Sequence, residues 1–128
     1  MNLGIVVFAH GSSVEAANAA VRDVAAAMQH EGGFALVEVA FLDCTEPTLS
    51  QSVQHLVDLG AARILVIPYF LTLGTHLQRD LPILVDAVAR EHAGLRIAVA
   101  EPLDGHPALV QILLERSRQA LAGGVLPD

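Results

Sequence analysis

The sequence encodes an α/β domain, a doubly wound four-stranded parallel sheet with helices on both faces. Apolar runs of strand length, rich in Val and Ile, alternate four times with amphipathic segments of helical spacing, and the connections between them are short. The runs are apolar at consecutive positions, as suits strands covered on both sides in a parallel sheet. The commonest winding of such a chain sets strand one beside strands two and three, in the order 2-1-3-4.

Each element has its own justification. Leu3 to Ala9 is the first buried strand. Val14, Ala17, Val21, Val24, Ala25 and Met28 then recur at helical spacing, with Ser12 or Ser13 as the N-cap and Gly32-Gly33 as the stop. Ala35 to Phe41 is a second strand, interrupted by Glu38 as befits a sheet edge. In the segment Asp43-Cys-Thr-Glu-Pro, Thr45 or Glu46 caps a helix with Pro47 in its first turn, and Leu49, Val53, Leu56 and Val57 form its apolar face. Gly60 ends it, and Ala62 to Ile67 is the third strand. A loop from Pro68 to Gln78 follows, and Asp80-Leu-Pro opens a third helix with Leu84, Val85 and Val88 inward, closing near Gly94. Leu95 to Ala100 is the fourth strand, and a final helix carries Leu109, Ile112, Leu113 and Leu121 before Gly123-Gly124.

Composition narrows the function. A chain of 128 residues, 53% hydrophobic, fits one domain over residues 1–128, with a generous core or a buried interface. No apolar run approaches the ~20 residues of a membrane span, and the amino terminus shows no export pattern, so a cytoplasmic protein is expected. Seven arginines and no lysine face fourteen acidic residues, a balance of −7 that argues against nucleic acid and anionic membranes as partners. The single cysteine, Cys44, excludes an internal disulfide or a paired-cysteine zinc site and reads as a small core hydrophobe.

In an open sheet of this winding, ligands bind beyond the carboxyl ends of the strands where the winding reverses, between strands one and three. His10 and His76 follow those two strands. Two neutral imidazoles facing one cleft make a partial site for Co, Fe, Ni or Zn, and the competing reading for each alone is a loop histidine bonded to backbone. Gly11 and Gly74 remove side chains where a large ligand would approach the backbone, or serve ordinary turns. Gly11-Ser12-Ser13, entering a helix, could cradle an anion, but the glycine density of a phosphate loop is missing and no nucleotide is expected. Glu46 is a carboxylate at the mouth of strand two, able to accept a proton, complete a metal shell or cap a helix. Arg79 and Asp80 either reach a ligand or pair with each other. His106 is a third cleft candidate or a plain helix start, and His30, His55 and His92 read as solvated helix residues. A serine hydrolase would need Gly-x-Ser-x-Gly, which is absent.

With those residues in place, the chain resembles the small class II tetrapyrrole chelatases, the family of sirohydrochlorin cobaltochelatase and ferrochelatase. The landmarks are His10-Gly-Ser, Phe41-Leu-Asp-Cys-Thr-Glu-Pro-Thr-Leu, Pro68 to Pro82 with its Gly-x-His and Arg-Asp-Leu-Pro, and Pro102-Leu-Asp-Gly-His-Pro-Ala-Leu. They span essentially the whole chain in order. The resemblance implies a chelatase fold, insertion of a divalent metal (Co²⁺, Fe²⁺ or Ni²⁺) into a metal-free tetrapyrrole such as sirohydrochlorin, and no ATP. It makes His10 and His76 the metal-handling pair, with Glu46 a nearby catalytic carboxylate and Gly11, Ser12, Gly74, Arg79 and His106 around the substrate. A one-domain member is expected to complete its cleft as a homodimer. The chain departs from many relatives at Ser13 and Val14, where they carry arginine, which leaves Arg79 as the arginine placed near the site. The alternative within the same fold is a carrier that binds metal or tetrapyrrole without joining them.

Overall fold

The computed structural model describes residues 2–126. Its elements run β1 (Leu3–Ala9), α1 (Glu15–Gly32), β2 (Leu36–Phe41), α2 (Leu49–Asp58), β3 (Arg63–Tyr69), α3 (Thr75–Arg90), β4 (Arg96–Val99) and α4 (Ala108–Ala122). The sheet is parallel throughout and ordered β2-β1-β3-β4, as the alternation predicted. Ile5 pairs with both Val37 and Leu65, so residues of equal register share a face across three strands.

Right-handed crossovers divide the helices by direction of travel. The step from β1 to β2 goes one way, and the steps to β3 and β4 go the other. Accordingly α1 packs over Val7, Ala9, Val39 and Phe41, whereas α2 and α3 enclose Val6, Phe8, Ala40, Ile64 and Val66 on the opposite face. β1 is buried on both faces from Gly4 to Ala9, which is why its run never alternates. Glu38 lies on edge strand β2 and stands 3.2 Å from Nε2 of His55 on α2, so the break in that apolar run faces a polar side chain of the helix.

Several boundaries differ from the sequence reading. The N-cap of α1 is Val14, and Ser12 instead accepts the Val14 N–H on its hydroxyl, 3.0 Å away. Val14 and Val24 are exposed, and the buried residues of α1 are Asn18 and Ala25. α2 is capped by Thr48, whose hydroxyl accepts the Gln51 N–H while the Gln51 side-chain oxygen accepts the Thr48 N–H. This reciprocal box outcompetes Thr45 and Glu46, leaving Pro47 outside the helix. α3 starts at Thr75 with Gly74 as N-cap and carries Pro82 in its interior. Reading proline as a first-turn residue placed that start too late. Cys44 is exposed with φ 70°, a loop residue and no part of the core. His92 is half-buried with Nε2 shut off from solvent, unlike a solvated helix residue.

The last helix departs furthest. α4 forms where expected but buries none of its residues, and Ile112, Leu113 and Leu121 are exposed. No described helix is long and apolar enough to cross a membrane.

Candidate functional site

β1 and β3 are neighbours, so the segments leaving their carboxyl ends emerge side by side. An open cavity of about 370 Å³ lies there, with His10 from the end of β1 and His76 from the first turn of α3 both on its wall. Leu42, Phe70 and Leu77 supply its apolar surface and Asp80 its carboxylate. Phe70 is held edge-on to the buried ring of Phe8, with centroids 6.1 Å apart. Apolar walls with a few convergent polar groups are the ordinary make-up of a ligand pocket.

The chain holds His10 in place through backbone bonds. Its carbonyl accepts the Asp43 N–H at 2.9 Å, and the Ala9 carbonyl accepts Leu42 N–H at 2.9 Å, so the exits of β1 and β2 stay hydrogen-bonded beyond the strands. Gly11 makes this approach possible: φ is +91°, and a Cβ there would stand 2.0 Å from the Asp43 carbonyl oxygen. Its missing side chain therefore makes room for protein backbone. Gly74 differs, since a Cβ there would meet nothing within 4 Å and the residue lines the cavity. Only Gly74 leaves space on the ligand side.

Asn18 closes the other side of this loop. It is 2% exposed, accepts the Ser12 N–H at 2.9 Å and donates to the Ser12 carbonyl at 2.8 Å. The Ser12 N–H is thus engaged and does not point to an anion. Asn18 gave no sign in the sequence except an amide standing at a core position of an amphipathic helix.

Hydrogen-bond partners distinguish the two imidazoles. His10 Nδ1 lies 3.1 Å from the Gly11 carbonyl, which can only accept, so in the neutral ring the proton sits on Nδ1 and Nε2 keeps its lone pair. His76 Nδ1 lies 3.3 Å from the Arg79 guanidinium, which can only donate, so in the neutral ring the proton sits on Nε2. Arg79 is also bonded to Asp80 at 3.0 Å, making a chain Asp80–Arg79–His76 whose two ends are on the cavity wall. His10 can therefore ligate or accept a proton as it stands. His76 donates until Arg79 withdraws.

Other expected members stand apart. Glu46 is exposed and is not on the cavity wall, where the carboxylate is Asp80. His106 accepts the Ala108 N–H on Nδ1 at 3.0 Å and so serves the start of α4. Both histidines of the cavity are exposed, and among the described residues no three His, Cys, Asp or Glu side chains gather to enclose a metal ion.

Comparison with known proteins adds family and fold. The model of the CbiX family matches residues 4–120. The chain is 29% identical over 119 residues to a chloroplastic sirohydrochlorin ferrochelatase of Arabidopsis thaliana, covering 93% of this chain and 53% of that protein. It is 28% identical to a sirohydrochlorin cobaltochelatase of Methanopyrus kandleri, covering 93% of this chain and 97% of the relative. It thus spans about half the length of the first relative and nearly all of the second. A crystal structure of a cobalamin (vitamin B12) biosynthesis CbiX protein from Marinobacter aquaeolei superimposes with a TM-score of 0.82 at 27% identity, covering 94% of this chain and 98% of that one.

Proposed function

The chain belongs to the CbiX family, and from that premise we propose that it is a chelatase inserting a divalent metal, Co²⁺ or Fe²⁺ with Ni²⁺ as a further candidate, into a metal-free tetrapyrrole of the sirohydrochlorin type. The observation that carries the reading is the pair His10 and His76 on one open cavity at the carboxyl ends of β1 and β3. Relatives named for cobalt and for iron insertion into sirohydrochlorin support the substrate class.

Two pyrrole N–H protons must leave as the metal enters, so the site needs a loose metal ligand and a base. His10 offers a free Nε2 lone pair, fixed in direction by the Gly11 carbonyl. An incoming metal is held there by few protein donors, which suits an ion that must be passed on. Arg79 and its neighbour Asp80 lie on the rim, where a substrate carboxylate can draw the guanidinium away from His76. His76 Nδ1 is then free to take one pyrrole proton, and solvent at the open mouth of the cavity takes the second. Leu42, Phe70 and Leu77 receive the face of the ring. No step calls for a nucleotide.

A cavity of about 370 Å³ open to solvent covers one side of a macrocycle. We therefore take the working form to be a homodimer in which two such cavities face each other, and a cytoplasmic setting is part of the same proposal.

The test is metal insertion followed through the visible spectrum of sirohydrochlorin with Co²⁺, Fe²⁺ and Ni²⁺ in turn. Conversion by the parent, lost in His10→Ala, is expected. A protein that binds Co²⁺ and the pigment yet never joins them would overturn the chelatase reading in favour of a carrier.

A further inference from the structure

Asp80 puts a carboxylate on the cavity wall, and metal insertion through His10 and His76 gives it no part. The phase of α3 places it there. His76 and Asp80 stand four residues apart on that helix, so their side chains leave one face a single turn from each other, and His10 comes to the same cavity from the end of β1. An imidazole and a carboxylate at this spacing, with a second imidazole on the same cavity, are donors that first-row divalent metals accept. Yet among the described residues no three such groups are gathered around one point.

Arg79 accounts for that. Its guanidinium meets Nδ1 of His76 at 3.3 Å with one nitrogen and Oδ1 of Asp80 at 3.0 Å with another. A cation of the chain itself thus occupies the two donors that α3 presents, and the charges of Arg79 and Asp80 cancel. A divalent ion arriving at His10 finds one free imidazole, a carboxylate already engaged and a positive charge beside it.

The arrangement is easily undone. The Arg79 and Asp80 side chains are 67% and 57% exposed, and ion pairs in such contact with water are weak. An incoming carboxylate offers the guanidinium two parallel charge-assisted bonds, in place of one bond to Asp80 and a longer contact with a neutral ring. Nothing packs over the side chain to hold it where it is.

We propose that Asp80 is a metal donor kept engaged by Arg79, and that a peripheral carboxylate of the tetrapyrrole releases it by taking the guanidinium, so that the metal is held firmly only when the macrocycle is in place. This rests on the chelatase reading and deepens it. The step is an exchange of ion pairs in which no covalent bond breaks: Arg79 passes from Asp80 to the substrate carboxylate, Asp80 turns to the ion at His10 Nε2, and His76 Nδ1 is left for the pyrrole proton. Metal and macrocycle then tighten each other's binding by the same factor, as any coupling between two sites requires. The same step selects the substrate, because a macrocycle with no carboxylate at this edge leaves Asp80 engaged and the metal loosely held.

Calorimetry of the whole chain with Co²⁺ alone, in about 1 M salt where the screening length is ~3 Å, tests the release of Asp80 without any pigment. Arg79→Ala is expected to bind Co²⁺ about tenfold more tightly than the parent, within the usual range of such couplings. Asp80→Asn should cancel that gain when added to Arg79→Ala and hardly change the parent, with circular dichroism unaltered throughout. An Arg79→Ala variant no tighter than the parent overturns the proposal, and so does a gain that persists in the double variant. The coupling is read with zinc uroporphyrin, a carboxylate-rich macrocycle whose centre is already filled. By fluorescence anisotropy it should bind the parent about tenfold more tightly at saturating Co²⁺, and Arg79→Ala equally well with and without the ion. Equal affinities in the parent overturn the coupling. A parent that converts sirohydrochlorin but shows none of these effects loses this proposal alone, whereas one that shows them and never converts the pigment keeps the release of Asp80 and loses the chelatase reading.

Discussion

Replacing Gly11 with alanine tests how the His10 loop is held. The added Cβ would stand 2.0 Å from the Asp43 carbonyl oxygen and 3.2 Å from Cβ of Phe41. Ordinary carbon contacts begin near ~3.5 Å, so Asp43 must retreat by more than about 1 Å. That movement breaks its 2.9 Å bond to the His10 carbonyl, and alanine must also hold φ at +91°. A left-handed non-glycine residue costs about 1–2 kcal/mol and a lost hydrogen bond about 0.5–1.5, which together give roughly 3 kcal/mol. With an m-value of about 2 kcal/mol per molar, the urea midpoint should fall by about 1.5 M. Co²⁺ affinity, read by calorimetry, should fall as well because His10 loses its anchor. Gly74→Ala is the control: the site is open and φ is −67°, so the cost stays within the ~1 kcal/mol by which glycine is preferred to alanine at an N-cap. Equal midpoints for Gly11→Ala and the parent would refute this account of the loop.

Other perturbations are simpler. His10→Ala and His76→Ala should each slow Co²⁺ insertion into sirohydrochlorin by about 100-fold or more, the usual scale of losing an acid–base group, while His30→Ala on α1 leaves the rate unchanged. Thr48→Ala removes one half of the capping box and should cost about 1 kcal/mol in urea melts without changing the rate. The Glu15 carboxyl is held below the usual carboxylate range by its hydrogen bonds to Arg22 first and Asn18 second. Its contribution is therefore complete above the unfolded carboxylate range and vanishes as pH falls through its lowered folded value. The stability gap between the parent and Glu15→Gln should be present at neutral pH and absent in strong acid; a gap that grows on acidification would reverse the sign.

Wherever burial alone decided an element's pattern, on one face or on both, the sequence was readable. β1, α2 and the order of the sheet follow from apolar spacing and short connections, and the switch point then located His10 and His76. Local signals misled where two were in competition. Pro82 resembles a helix opener, but Gly74 begins the helix seven residues into the expected loop, carrying His76 into its first turn. Asp80 takes a place on the cavity wall through the turn of α3, a matter of helix phase that spacing alone does not disclose. The partners that give the two imidazoles opposite protonation patterns, a carbonyl and a guanidinium, depend on side-chain directions that spacing does not encode.

The Asn18 amide behaves toward Ser12 like one more peptide unit, giving and receiving a bond as a neighbouring strand would. Aspartate could receive but not give, and leucine could do neither. The segment bearing His10 is therefore fastened to α1 and should share its opening behaviour. In hydrogen exchange the Ser12 amide, although it lies in a loop, should exchange at the pace of the first turns of α1. His76 instead sits on the first turn of α3, facing an exposed arginine. One wall of the cavity is thus built to stay still, and rearrangement on taking up a ligand falls to the other.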